Sequence, residues 1–407
     1  MADDRKPRRR DVLVGAAALG VGAAAGVAGT RFAERVAEPT PLGQQRRAAT
    51  DASLPAGVGS ESAHAVFIGL DLAPDVDRDR IASLLRLLHD DAARLTQGAA
   101  PIGDQEPELA ELPANLAVTF GFGPGLVERV NPAARPEWLA QLPAFSIDAL
   151  EDRWSEGDLL LLVTGDDPLA VAHAQRMLLK DARAYTTIRW QQQGFRNAHG
   201  VAKPATTQRN LFGQLDGTAN ATPGDNEFAT IVRTTEPGWL AGGTTLVLRR
   251  IAMNLETWDE VDRPGREAAV GRRLDTGAPL TGVHERDEPD FAALTPQGFT
   301  VINSASHVRR ARPDDPTQRI FRQTYNYDIP VSPAAGEDAV GGRGAQVSNS
   351  GILFASFQAN PTLQFVPIQQ RLADADLLNT WTTPIGSAVF AIPPTGGEFP
   401  GQALFDA

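Results

Sequence analysis

Residues 64–95, HAVFIGLDLAPDVDRDRIASLLRLLHDDAARL, begin as an apolar run and change to a helical pattern after one short turn. The run over 64–72 has the nearly continuous apolar character of a buried strand. From Ile81 to Leu88 the isoleucine and leucines recur at the spacing of one helix face. The stretch therefore predicts a strand followed directly by an amphipathic helix over 76–95.

The rest of the first half continues this alternation of strands and helices. Its further predicted elements are strands at 115–122 and 158–163, a helix over 168–180 and a strand at 186–191. Pro168 suits the start of that helix, because proline is favoured in the first helical turn. Strand, helix, strand, strand, helix, strand is the ferredoxin-like order.

The second half repeats this order more loosely. Its predicted elements are a strand at 243–253, a helix over 255–273 broken at Pro264, strands at 319–327 and 352–358, a helix over 368–380 and a strand at 387–392. Irregular insertions at 274–318 and 329–350 separate them, and segments of this length are usually functional. We therefore expect an α+β fold of two ferredoxin-like modules, over 61–203 and 204–407, with their antiparallel sheets packed together.

The composition limits the chemistry that the chain can perform. With 407 residues, 42% hydrophobic and 22% charged, the chain can build two packed modules. It has no cysteine, which excludes disulfides, thiolate metal sites and iron–sulfur clusters. Acidic residues outnumber basic ones, 50 against 38, which argues against nucleic acid as a partner. Any redox chemistry must therefore come from a bound cofactor.

The N-terminus has the pattern of an export signal. Residues 5–29, RKPRRRDVLVGAAALGVGAAAGVAG, place adjacent arginines, Arg9 and Arg10, before a weakly hydrophobic stretch. The alternative is a short membrane anchor, but the stretch lacks the leucine and isoleucine of a stable transmembrane helix. We expect a twin-arginine signal peptide over 1–37, a flexible lead-in over 38–60, and a secreted or periplasmic protein that the export machinery moves already folded.

Three segments carry candidate functional residues, and each also has an ordinary structural interpretation. His307 lies in VINSASHVRRARP, which could be a basic surface loop, and none of the six histidines forms a pair with zinc-site spacing. Asp216 lies in LFGQLDGTAN, which could be a simple Asp-Gly turn. Arg322 alternates with its neighbours in RIFRQTYNYD and could reach water from an edge strand, although a core-facing arginine is costly unless it is paired.

Together with GILFASFQAN at 351–360 and DLLNTWTTPIGSAVFAIPP at 376–394, these segments occur in a characteristic order. From about residue 60 to 400 the chain resembles the dye-decolourising peroxidase family, in the twin-arginine-exported branch that includes deferrochelatase-like proteins of iron uptake. The resemblance implies a fold of the dimeric α+β barrel type and one haem b per chain in the second module. It also implies a peroxidase that reduces hydrogen peroxide while it oxidises dyes, phenolic compounds or other organic donors.

The resemblance implies roles for individual residues on the proximal side of the haem. His307 occupies the place of the proximal iron ligand, and Arg309 that of a propionate contact. Asp376 is the expected acceptor of the second ring proton of His307, with the nearby Asp374 as the alternative.

On the distal side the resemblance implies that Asp216 and Arg322 form a catalytic pair, with Ile352 and Phe354 as walls of the pocket. A carboxylate can move a proton between the peroxide oxygens, and a cation can stabilise negative charge as the O–O bond breaks heterolytically. A carboxylate base predicts an acidic optimum for the reaction.

Several alternatives stay open at the level of sequence. Dye-sized donors require electron transfer to a surface tyrosine or tryptophan, and the three tyrosines and six tryptophans offer no basis for a choice. The chain could instead be an exported haem-processing protein, or a binding protein in which the three candidate residues are only structural. A homo-oligomer is possible.

Overall fold

The structure is a computed structural model. The strand and helix predicted from residues 64–95 are its first two regular elements. It describes residues 44, 46, 57–59, 62–203, 206–313, 315–331 and 347–406. The predicted signal peptide and most of the predicted lead-in lie outside the described residues. Within the described part of the chain, no helix is long and apolar enough to cross a membrane.

The first module has the predicted ferredoxin-like order. Its elements are β1 (His64–Leu72), α1 (Arg78–Thr96), β2 (Ala117–Phe122), α2 (Pro124–Val130), β3 (Leu159–Gly165), α3 (Pro168–Ala182) and β4 (Thr186–Phe195). The strands pair antiparallel in the order β4-β1-β3-β2. Of the predicted apolar residues of α1, Ile81, Leu84, Leu85 and Leu88 are buried, whereas Leu87 is exposed. The Asp77 side chain caps the helix by accepting from the Arg80 N–H.

The second module repeats this arrangement with more insertions. Its elements are α4 (Asn226–Val232), β5 (Thr244–Met253), α5 (Leu255–Asp259), α6 (Arg263–Val270), α7 (His307–Ala311), β6 (Phe321–Arg322), β7 (Tyr325–Asp328), β8 (Ser350–Gln358), α8 (Phe365–Ala375), β9 (Thr382–Ile392) and α9 (Gln402–Asp406). Four of its strands are arranged in the order β9-β5-β8-β7, again antiparallel. The α+β fold of two ferredoxin-like modules is confirmed.

The two sheets are joined at their edges and form a closed ring of eight strands. Phe122 of β2 pairs with Ala391 of β9, and Phe195 of β4 pairs with Asn326 of β7. Both modules fill the interior with apolar side chains, among them Phe67 from β1 and Phe390 from β9. The helices α1, α3 and α8 pack on the outside of this ring.

Two predicted elements are interrupted in the structure. The strand predicted over 319–327 forms only the short pieces β6 and β7, because the Thr324 carbonyl accepts from Gln208 Nε2 instead of a strand neighbour. The helix predicted over 255–273 with a break at Pro264 is divided into α5 and α6 as expected, but the break falls at residues 260–262 and Pro264 lies in the first turn of α6. Asp262 caps the second of these helices, and Gly271 ends it with a left-handed φ of 88°.

Other boundaries also differ from the predictions. The helix predicted over 368–380 begins three residues earlier, at Phe365, and its α-helical part ends at Ala375. The helices α2 and α4 are not among the predicted elements. Within the predicted flexible lead-in, residues 57–59 are held in place: Gly59 N donates to Gln323 Oε1 at 2.9 Å, and Gln323 Nε2 donates to Gly57 O at 3.2 Å.

Candidate active site

The candidate site lies on the outer face of β8. Side chains alternate along this strand, so that Leu353 and Ala355 point into the barrel while Ile352 and Phe354 point outward. Ile352 packs in a small apolar cluster with Phe212 and Met253, and Phe354 contacts the same cluster. The two residues predicted as pocket walls therefore share one apolar surface outside the barrel.

His307 is the first residue of α7, and its ring is oriented by a buried carboxylate. His307 Nδ1 donates to Asp376 Oδ2 at 2.6 Å. Asp376 follows the last residue of α8, and its Oδ1 accepts from the Leu378 N–H at 3.0 Å. A backbone hydrogen bond from Leu377 N to Ala305 O, 2.9 Å long, joins the two segments directly. The ring is thus fixed in one orientation.

The sequence left Asp374 and Asp376 as alternative partners of His307, and the structure distinguishes them. Asp374 is exposed and accepts from Gln370 Nε2 at 2.7 Å, whereas Asp376 is buried against His307. Burial alone lowers the pKa of His307, but the charge of Asp376 and its hydrogen bond outweigh this effect and raise the pKa overall. Asp376 therefore stabilises positive charge on the ring.

Asp216 and Arg322 form the second pair of the site. Arg322 Nη1 donates to Asp216 Oδ1 at 3.0 Å, and Thr324 Oγ1 donates to Asp216 Oδ2 at 3.2 Å. Asn220 fixes the backbone of Arg322 from both sides, since its Nδ2 donates to Arg322 O at 2.7 Å and its Oδ1 accepts from Arg322 N at 3.1 Å. The loop of Asp216 and the strand of Arg322 are therefore locked together.

The two pairs lie close to each other. One third of the His307 side chain is accessible although protein surrounds the residue, so its free edge faces an internal opening. The charges of Arg322 and Asp216 both affect the pKa of His307, which places the second pair near the first. Within the described residues, His307 Nε2 has no hydrogen-bond partner, and about a quarter of the Arg322 side chain is accessible. An imidazole nitrogen and a guanidinium–carboxylate pair can thus reach a molecule bound between them.

Arg309 occupies a different environment. Its Nη1 donates to Phe291 O at 2.9 Å and to Ile302 O at 3.3 Å, and its guanidinium lies over the Phe291 ring. Arg309 therefore joins the two ends of the segment 291–302. The predicted contact of Arg309 with a propionate stays a prediction.

The sequence analysis did not identify Thr324 and Asn220 as part of the site. Thr324 follows Arg322 by two positions on the same strand face, so alternation alone could have indicated a shared target. Asn220 lies within the segment around Asp216, but nothing in the sequence links it to a strand about 100 residues further on.

The chain is similar to known proteins along most of its length. The model of the Dyp-type peroxidase N-terminal domain matches residues 56–196, and that of the C-terminal domain matches residues 207–396. A dye-decolorizing peroxidase of Thermobifida fusca is 38% identical over 383 residues, which cover 90% of this chain and 86% of that protein. A deferrochelatase of Escherichia coli K12 is 31% identical over 352 residues, 81% of this chain and 80% of that protein.

Solved structures show the same relationship. The DyP-type peroxidase from Cellulomonas bogoriensis superposes with a TM-score of 0.82 at 43% identity, covering 90% of this chain and all of that one. Ferric DtpA from Streptomyces lividans gives a TM-score of 0.83 at 34% identity, covering 91% of this chain and 100% of that one.

Fold, site and relatives together define a haem peroxidase built on a closed α+β barrel. Within this class, the chain belongs to the Dyp-type peroxidase family.

The residues at the site fit a haem. A histidine whose Nδ1 is held by a carboxylate and whose Nε2 is free is the usual arrangement of an oriented metal ligand. The apolar side chains of Ile352 and Phe354 suit the macrocycle, and the Arg322–Asp216 pair supplies a cation and a carboxylate that can contact a polar ligand.

Proposed function

We propose that the chain binds one haem b, with His307 as the proximal ligand, and reduces hydrogen peroxide with Asp216 and Arg322 on the distal side. The observation that supports this most directly is that the Arg322–Asp216 pair lies near the His307–Asp376 pair, whose imidazole keeps an accessible edge. Each pair alone would be an ordinary buried ion pair. Together, they supply a metal ligand on one side and a proton acceptor with a cation on the other.

The haem, when bound, supplies the iron that holds the peroxide and accepts its oxidising equivalents. Asp216 would take a proton from one oxygen of the peroxide and deliver it to the other. Arg322 stabilises the negative charge that develops as the O–O bond breaks. On the other face, Asp376 holds the ring of His307 and increases its electron donation, which favours high oxidation states of the metal.

The reducing substrates in this proposal are dyes, phenolic compounds and other organic donors. Peroxide turnover in the presence of such a dye is the direct test: we expect dye oxidation that requires both hydrogen peroxide and bound haem. Absence of dye oxidation in protein with full haem occupancy would contradict the proposal.

A second candidate function comes from the deferrochelatases, which are also similar to this chain along most of its length. In that case the same site would release iron and leave a metal-free porphyrin. Porphyrin fluorescence distinguishes the two, because it rises only when the metal has been removed. We expect no rise during peroxide turnover.

We propose further that the protein is secreted or periplasmic, after export of the folded chain and cleavage of a twin-arginine signal over 1–37. Arg9 and Arg10 in their basic context support this. Replacement of both by Lys should retain the precursor in the cytoplasm. Unimpaired export of that variant would indicate another route.

A further inference from the structure

A chain of three hydrogen bonds leads from Asp216 away from the opening in front of His307. Arg196 Nε donates to Gln208 Oε1 at 2.7 Å, and Gln208 Nε2 donates to Thr324 Oγ1 at 3.1 Å. Thr324 Oγ1 completes the chain with its 3.2 Å bond to Asp216 Oδ2. Gln208 and Thr324 are buried, at 8% and 3% exposure, so water does not compete for these bonds.

Arg196, the first residue of this hydrogen-bond chain, determines which atom donates and which accepts in every bond. A guanidinium nitrogen can only donate, so the oxygen of the Gln208 amide must face Arg196. The Gln208 nitrogen therefore faces Thr324, where it donates to both the carbonyl and the hydroxyl oxygen, each at 3.1 Å. Because the hydroxyl accepts that bond, its single proton is directed to Asp216.

The chain cannot act as a proton wire. Arginine stays protonated in proteins, and a glutamine amide does not release a proton under ordinary conditions. The proton that Asp216 takes up must therefore leave on the side of Arg322 and the opening. What the chain supplies to Asp216 Oδ2 is a fixed donor, which stabilises the carboxylate and limits its rotation.

We propose that Arg196, Gln208 and Thr324 are positioning residues that hold Asp216 in the orientation required for proton transfer. This inference rests on the proposed role of Asp216 in the peroxidase reaction. With Oδ2 held by Thr324, Oδ1 remains beside Arg322 at the opening.

The arrangement also assigns a task to the first module. Arg196 directly follows β4, and its own N–H donates to Ala63 O at 2.8 Å, next to the start of β1. Its guanidinium lies 5.7 Å from the ring centroid of Tyr325. The first module, which lacks the candidate ligand, thus anchors the Arg196 end of the hydrogen-bond chain that holds Asp216.

Thr324 offers the first test, in protein loaded with haem. Thr324→Val removes the donor at nearly constant volume, and we expect the second-order rate of reaction with peroxide to fall roughly 10–100-fold, as for other supporting residues around metal sites. Thr324→Ser restores the donor and should recover most of that loss. Thr186→Val is the matched control, because Thr186 is also a buried threonine whose hydroxyl donates to a carbonyl, that of Ala182.

Gln208 offers a second test, which distinguishes an effect of hydrogen-bond direction from an effect of side-chain packing. Gln208→Glu keeps the size and the acceptor for Arg196, but the oxygen that replaces Nε2 claims the Thr324 proton and takes the donor away from Asp216. Gln208→Met removes the amide yet leaves Thr324 free to donate. We therefore expect Gln208→Glu to be slower with peroxide than Gln208→Met; a purely structural role predicts that the loss of the amide in Gln208→Met is at least as harmful.

Equilibrium binding of cyanide to the ferric protein gives a readout without turnover, because that ligand also delivers a proton to the distal side as it binds. We expect Thr324→Val and Gln208→Glu to weaken cyanide binding in parallel with the peroxide rate. Asp216→Asn serves as the reference for both measurements. If Asp216→Asn is impaired while Thr324→Val and Gln208→Glu are not, the positioning role is wrong and the proposed function stands. If Asp216→Asn itself behaves as the unmodified protein, the role of Asp216 fails and the positioning role fails with it.

Discussion

At the scale of single residues, the site consists of two pairs in which a carboxylate holds a nitrogen base or cation. His307 is paired with Asp376, and Arg322 is paired with Asp216. The family motifs predicted His307, Asp216 and Arg322 and left Asp376 open against Asp374. Alternation with Arg322 could have indicated Thr324, but no local pattern indicates Gln208, whose contact with Thr324 joins positions 116 residues apart.

The two distal residues should differ in how much the reaction depends on them. Arg322→Leu should slow the first reaction with peroxide by roughly 10²–10³-fold, the usual loss for a donor that stabilises developing charge. Asp216→Asn should lose about 10²–10⁴-fold only if the carboxylate is the obligatory base, since a water can substitute for it. We expect Arg322→Leu to be at least as damaging, with haem retained in both. Stopped-flow mixing with peroxide measures this, and an unmodified rate in Arg322→Leu would refute its distal role.

The proximal carboxylate should be identifiable by comparing two neighbouring substitutions. Asp376→Asn removes the charge beside His307 and should raise the reduction potential of the bound iron, because the ring donates fewer electrons. Asp374→Asn, at an exposed position on the same segment, is the control and should leave the potential unchanged. Redox titration of both haem-loaded variants gives the answer. Equal potentials in the two variants would argue against the Asp376 contact.

At the scale of elements, α7, the helix that begins at His307, packs closely against Gly271. An added Cβ at Gly271, where α6 ends, would lie 2.5 Å from Val308 Cγ1 and 3.1 Å from Ser306 Oγ, on either side of His307. Such a contact must displace the Val308 side chain or α7 itself. The sequence predicted a helix here but not its end at Gly271, because that end depends on the fit between α6 and α7.

Gly271→Ala should therefore destabilise the fold and weaken haem binding. A left-handed φ costs an alanine about 1–2 kcal/mol, and overpacking against α7 adds about 1–3 kcal/mol. Gly298→Ala is the matched control, since Gly298 has a nearly identical φ of 86° but no atom within 4 Å of the added Cβ. Chemical denaturation should show the larger loss for Gly271→Ala, together with weaker haem affinity. The same loss in both variants would mean that α7 is not held by this contact.

The packing of α1 on α3 contains a pair of acidic side chains whose effect depends on pH. Burial, followed by the hydrogen bond and the charge of Asp181, raises the pKa of Asp91 to about 7, with a further increase from Asp90 and an opposing effect of Arg94. A carboxyl group with a raised pKa in the folded state destabilises the fold as pH rises from about 4 towards 7. The penalty is absent at lower pH and complete above pH 7.

Asp91→Asn should remove this penalty. We expect a gain of at least about 1 kcal/mol in the free energy of unfolding at pH 8, where a single unit of pKa shift already has that value, and little change at pH 4. Asp374→Asn is the control, because Asp374 is exposed and is not among the groups that shift the pKa of Asp91. Urea denaturation at the two pH values measures the difference. A variant that is no more stable at pH 8 than the unmodified protein would contradict the raised pKa.

At the scale of the whole molecule, two repeats of one supersecondary pattern build a single barrel. The sequence predicted the repeats, since apolar periodicity indicates most of their strands and longer helices. It did not predict how the sheets close, because each junction between the modules depends on one residue pair, Phe122 with Ala391 and Phe195 with Asn326. The consequence for function is that the first module, without a candidate ligand of its own, closes the barrel and supports the site in the second.

The measurement that tests the central claim most directly is an absorbance titration of the folded protein with haemin, run in parallel with His307→Ala. The unmodified protein should develop a Soret band that saturates at one haem per chain. His307→Ala should keep the far-ultraviolet circular dichroism of the folded protein but lose haem binding or bind it far more weakly, because the cores do not depend on that side chain. Saturation at the same ratio with an unchanged spectrum in His307→Ala would contradict the assignment of His307 as the iron ligand.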